Sequence, residues 1–274
     1  PLVILGVLQI VAWFGGPRAG RTGLDAAWRS LAHPLGIDGR GRDFAWVVIH
    51  GAERFILPAT VAALLLMALV VAYAAIGRGR GVGFHRLARS GANWAGTIPR
   101  FLVVLLAMMA LPEPNVWVMA ALLLVLYFPV AMDEVAVRME AMIRERVLLG
   151  AQAHGLPPWR VVFSHLALGH LRPMILAHGA YLFVQVAFTE IAVAYVFGGS
   201  AIVAGLATSW GVELRWLMGR IPRFDGDPCY GMPGVCAAWV EAFQCLALVL
   251  IVAALLGGVA RMARTVRAQV GDRA

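Results

Sequence analysis

Apolar positions along this chain collect in long, nearly unbroken runs, and polar positions collect between them. Neither the alternation of a half-buried strand nor the 3.6-residue stripe of a soluble amphipathic helix dominates. Crossing about 30 Å of hydrocarbon takes around twenty apolar helical residues. On that measure residues 2 to 16 form the remaining part of a first spanning helix with a trimmed N-terminus, a cleaved signal peptide being the alternative. Further spans are expected at residues 55 to 76, 97 to 111, 116 to 132, 174 to 197 and 239 to 260. Because lipid offers no partner to backbone polar groups, the expected fold is an all-α, polytopic membrane protein with about six transmembrane helices.

The polar stretches set the order of segments. Residues 17 to 54 make an outer segment, in which HPLGIDGRGRD at 33 to 43 has the glycines and alternating Asp and Arg of a compact, charge-braced turn. Residues 55 to 274 make the core, with the other spans. The third and fourth spans are separated only by PEPN at 112 to 115, which makes them an antiparallel hairpin. The fourth helix should run on past Asp133 and Glu134, since MDEVAVRMEAMIRERVLL holds good helix formers and no breaker. It leads into an inner loop at 134 to 172, and a second outer loop covers 198 to 238.

Composition agrees with a bilayer: 61% of residues are hydrophobic and 14% charged, with a mean hydropathy of +0.79. A net charge of +8 would suggest nucleic acid in a soluble domain. Here the arginines flank spans, so nucleic acid is not expected as a partner. With both termini inside, thirteen arginines fall in inner segments and nine in outer ones, the bias a membrane protein shows. All 23 basic residues are Arg. Without a lysine the chain has no Walker A loop, so it is not expected to hydrolyse ATP itself.

No enzyme constellation appears. The chain lacks H-E-x-x-H and G-x-S-x-G, its inner histidines never fall four residues apart on a helix, and GRGRGVGFHRLAR after the second span does not fit G-x-G-x-x-G. No metal site and no cofactor bound by this chain are expected. Cys229 and Cys236 flank YGMPGV in the second outer loop; they close a small disulfide if that loop meets an oxidising compartment and are two unpaired thiols otherwise. Cys245 lies in the sixth span and reads as packing.

Two places carry the functional expectation. The first is LGAQAHGLPPWRVVFSHLALGHLRP at 149 to 173, which is too polar to span and too helix-prone to be slack. Gly155 permits a sharp reversal, Pro157 suits a first helical turn, and WRVVFSHL offers an apolar face. An amphipathic helix lying on lipid is the competing reading. The second is Glu190, in an otherwise almost uncharged span, with Gln185 on the same helix. A carboxylate there is costly and lines a translocation path or bonds a neighbouring subunit. His178 reads as a satisfied core histidine.

Four segments together resemble one family. HPLGIDGRGRD is similar to the HPLGTDxxGRD signature of the "C" type permease subunits of dipeptide, oligopeptide and nickel ABC importers, through His33, Pro34, Gly36, Asp38, Gly41, Arg42 and Asp43. HGAERFIL at 50 to 57 resembles that family's GAR-x-SL, and TSWGVEL at 208 to 214 resembles its PSWGxML. The stretch at 149 to 173 resembles the cytoplasmic EAA loop, with Ala151 and Gly155 in place and His165 opening its second part. Leu149 and Gly150 replace the family's Glu and first Ala, and Ala167, Leu168 and Gly169 replace its L-P-N. Glu190, in FTEIAVAYVFG, matches the Glu of LEASLSFLG.

The resemblance implies a type I ABC importer permease fold in a bacterial inner membrane, both termini cytoplasmic. It implies a second, homologous permease chain, two ATPase subunits that hold ATP and Mg, and an extracytoplasmic substrate-binding protein. Ala153, His154, Gly155 and Leu156 would form the tip that couples to the ATPase, and Arg160 would meet an acidic residue there. Gln185 and Glu190 would line the path of a peptide or related small solute. The rival expectation is a secondary transporter or channel that works without ATPase partners.

Overall fold

Three of the apolar runs become helices long and apolar enough to cross a bilayer, at Phe44–Ile76, Val116–Met139 and Arg172–Phe197. The computed structural model describes residues 43–77, 82–97, 99–111, 115–144, 171–197, 209–220 and 244–254, with positions 35, 153, 161, 257, 258 and 261. The helices in order are α1 Phe44–Gly77, α2 Val82–Thr97, α3 Arg100–Ala110, α4 Val116–Arg144, α5 Arg172–Phe197, α6 Trp210–Arg220 and α7 Gln244–Ala254. The expected first span lies outside the described residues. Of the expected sixth, the described residues include α7.

Several elements differ from the sequence expectation. Helix α1 starts at Phe44 rather than residue 55, because Asp43 caps it: its Oδ1 accepts the Ala45 N–H at 3.0 Å, and its carbonyl accepts the Val47 N–H at 3.1 Å. His50, Glu53 and Arg54, read as the end of the polar outer segment, therefore belong to this helix. Helix α4 continues through Asp133 and Glu134 to Arg144, as its composition indicates.

Residues 82 to 97, read as part of a polar loop, form α2. Among its described side chains the packed ones are small, Gly91, Ala92 and Ala95, and a Cβ added at Gly91 would touch Pro129 of α4 at 3.5 Å. Arg89 Nε lies 3.5 Å from Asp133 Oδ1 and adds a charged tie between the same helices. The Thr97 hydroxyl donates to the Trp94 carbonyl at 2.8 Å in the last turn. Pro99 disfavours helix at the residue before it, and segments Arg89–Thr97 and Arg100–Ala110 meet at a 71° bend.

The chain divides into two compact units: Pro1–Pro58, Leu111–Val116 and Ala187–Gly258 in unit 1, and Ala59–Ala110, Trp117–Val186 and Val259–Ala274 in unit 2. Phe44, Phe55, Trp210, Leu217 and Leu248 are buried in unit 1. Leu66, Val70, Val104, Met119, Leu123, Met139 and Leu182 are buried in unit 2.

Candidate functional site

Unit 1 gathers residues from four distant stretches of sequence. Helix α6 begins at Ser209, whose hydroxyl accepts the Val212 N–H at 3.2 Å while its carbonyl accepts the Glu213 N–H at 3.1 Å. A serine at this position satisfies amide donors the helix itself cannot. Next to it, the Trp210 indole N–H donates to the Val48 carbonyl of α1 at 2.6 Å, and its ring meets Phe55 edge-on at 5.1 Å. Gly211 lets α6 press against α5. A Cβ there would run into the Ile191 carbonyl, the Tyr195 nitrogen at 2.7 Å and the Ala194 Cβ at 2.8 Å. At the far end of this contact Arg215 Nη1 donates to the Val196 carbonyl at 2.7 Å, placing positive charge where the α5 dipole is negative. Gln244 of α7 donates to the Leu35 carbonyl at 3.2 Å.

Glu190 sits inside this arrangement. It is 1% exposed, the Ser209 hydroxyl and the charge of Arg54 are its polar surroundings, and neither carboxylate oxygen has an aligned hydrogen-bond partner among the described residues. The carboxylate therefore lies near the N-terminus of α6, the end that favours negative charge. Beyond it, Phe188, Ile191, Trp210, Leu214, Leu248 and Val249 line an apolar cavity of about 340 Å³. Gln185 is half-buried, with its Oε1 unpaired among the described residues.

Unit 2 holds a second polar group. His178 is fully buried on α5; its Nδ1 lies 2.7 Å from the Tyr127 hydroxyl, and its Nε2 lies 3.4 Å from Glu134 Oε2, an ion-pair distance rather than an aligned hydrogen bond. A ring nitrogen facing a carboxylate carries the proton, which leaves Nδ1 to accept from Tyr127. Arg100 stands over the Tyr127 ring at 5.3 Å and Tyr181 stacks on it at 5.0 Å. Tyr127→Phe removes one partner of a buried hydrogen bond, so it should cost about 1–3 kcal/mol, read as a lower thermal unfolding midpoint of the detergent-solubilised chain. An unchanged midpoint would mean that this bond holds nothing together.

Of the other residues singled out in the sequence, Asp43 is described and buried, as the cap of α1. His33, Pro34, Gly36, Asp38, Gly41 and Arg42 lie outside the described residues, as do Ala151, His154, Gly155, Leu156, Arg160, His165, Cys229 and Cys236. Ala153 is exposed. Cys245 is buried and has no disulfide partner among the described residues. Among the described residues no group of three or more His, Cys, Asp or Glu is placed to hold a metal.

Sequence reasoning did not single out Ser209, Trp210 or Gly211 as the joint between α5 and α6. The signal was present in a serine followed by a tryptophan, a glycine and an acidic residue, the pattern of a capped helix start. No family model matches the chain, and no curated protein is detectably similar to it.

Proposed function

We propose that this chain is a transmembrane permease subunit of an ATP-driven importer of the ABC type. It would form half of the path for peptides or a related small solute and couple to ATPase subunits through residues 149 to 173. The observation that carries the reading is a convergence. The segments with motif resemblance at 50 to 57 and 208 to 214, and the Glu190 segment, come together within unit 1, through Trp210 on Phe55 and Glu190 beside Ser209 and Arg54. Motifs that matched by chance would have no reason to meet. The three helices long enough to span, and the run of α4 toward residue 149, are compatible with the same role. In this reading the chain pairs with a second, homologous permease, takes solute from an extracytoplasmic binding protein, and lies in a bacterial inner membrane with its termini cytoplasmic.

The test is a pull-down of the intact complex, comparing wild type with Gly155→Asp and Leu156→Asp. An unpaired charge pushed into an apolar docking groove costs several kcal/mol, a loss of affinity on the order of a hundredfold or more. ATPase subunits are expected to copurify with wild type and to be absent from both variants. Solute flux without ATP and without any copurifying ATPase would overturn the proposal in favour of a secondary transporter or channel.

A further inference from the structure

Helix α4 holds a proline, Pro129, inside its run from Val116 to Arg144. Proline removes one backbone hydrogen bond of a helix and crowds the carbonyl four residues before it, so α4 is weakest there. Tyr127 stands just before that point and Glu134 beyond it on the same helix. About two turns separate them, which puts both on one side of α4. His178 of α5 reaches both: its Nδ1 lies 2.7 Å from the Tyr127 hydroxyl and its Nε2 lies 3.4 Å from Glu134 Oε2. One imidazole thus bridges the proline. Helix α2 supports the same place, with Gly91 beside Pro129 and Arg89 on Asp133.

Packing alone does not call for a histidine at this place. An apolar side chain of similar size often holds two helices together as well or better, because a buried polar pair gains little once its desolvation is counted. What the imidazole adds is direction: its two nitrogens fix the register of α5 against α4 on both sides of the weak point. Its position along the chain matters as well. Helix α4 runs toward residue 149 and α5 begins at Arg172, so these helices carry the two ends of the stretch at 149 to 173. We propose that His178 is a positioning residue that splints α4 across Pro129, so that the Arg144 end of α4 and the start of α5 move together when that stretch is pushed. A force applied there then reaches the spans instead of being absorbed by a bend at Pro129. The proposal deepens the importer reading and rests on it for the source of the force.

Two measurements on the full chain test it, with His178→Leu, which keeps an apolar filling and loses both polar contacts, and His178→Gln, which keeps a donor and an acceptor. In nanodiscs, amide hydrogen exchange is followed along α4 and α5. In His178→Leu, exchange at residues 130–144 and 172–177 should rise about tenfold, the weight of one lost buried hydrogen bond. Residues 116–126 and 187–197 should stay near wild type, since the opening is local. His178→Gln should stay near wild type throughout. In the reconstituted complex, solute taken up per ATP hydrolysed should fall about tenfold in His178→Leu for the same lost bond, with copurifying ATPase undiminished, and His178→Gln should keep most of it. A merely structural histidine would lower the unfolding midpoint and the amount of complex together and leave uptake per ATP intact. Unchanged exchange in His178→Leu, exchange raised evenly along both helices, or intact uptake per ATP in that variant would each overturn the proposal. Wild type without any copurifying ATPase would instead overturn the importer reading, and the exchange pattern would still decide the splint.

Discussion

Gly211→Ala is expected to be among the most damaging single-methyl changes in this chain, and Gly179→Ala among the mildest. At Gly211 the new Cβ meets backbone, the Ile191 carbonyl and the Tyr195 nitrogen, together with the Ala194 Cβ. Atoms held inside a helix cannot step aside, so α6 must lift from α5, which loosens Ser209 from Glu190 and strains the Trp210 contacts with α1. Overpacking of this kind costs about 3 kcal/mol or more. At Gly179 the new methyl meets only the Met67 side chain, with Sδ at 2.9 Å. That flexible thioether can turn away, and the gain in helix propensity, about 1 kcal/mol, offsets much of the crowding. Thermal unfolding of both variants in the same detergent, followed by tryptophan fluorescence, checks the contrast. Similar midpoints would mean that α6 does not lie against α5 as described.

Glu190→Leu is expected to separate stability from function. The wild-type carboxylate is 1% exposed, with both oxygens unaligned to any donor among the described residues, so its desolvation is poorly compensated. Replacing it with an apolar side chain of similar size should leave the chain as stable as before or more stable, by about 1–3 kcal/mol. Arg54 is exposed and loses little by the change. If Glu190 serves transport, reconstituted uptake should fall to background in the same variant while the unfolding midpoint holds or rises. A drop in the midpoint of comparable size would make Glu190 a structural anchor of α6. Glu190→Gln, which keeps the shape and removes the charge, then shows whether charge or hydrogen bonding matters to uptake.

The parts of the fold visible in the sequence are those that the bilayer dictates. Helices α1, α4 and α5 are long apolar runs, and hydropathy alone marks them. Helices α2 and α6 are not visible this way, because they are short and polar overall, and the described buried positions of α2 are small residues, Ala92 and Ala95, while α6 buries Trp210, Gly211 and Glu213 beside Val212 and Leu217. Small residues give little hydropathy signal, yet they allow the closest approach between helices. The early start of α1 was hidden for a related reason: His50, Glu53 and Arg54 read as polar loop until Asp43 is recognised as a cap. At the site, Glu190 stood out because a charge in an apolar run is conspicuous. Ser209 and Trp210 did not, since their roles depend on partners far along the chain, Val48 above all, that no local pattern reveals.

That distance also bears on how the protein is made. The Trp210 indole reaches a carbonyl 162 residues earlier in the chain, and unit 1 is interrupted by most of unit 2. At a synthesis rate of roughly 5–20 residues per second, α1 waits on the order of ten seconds or more after leaving the ribosome before α6 emerges. During that interval Phe55 and the Val48 carbonyl lack their Trp210 partner, while unit 2 has already received α2 through α4 and the first part of α5. A nascent chain arrested before Trp210 therefore presents an open seam in unit 1 for membrane chaperones and proteases to recognise.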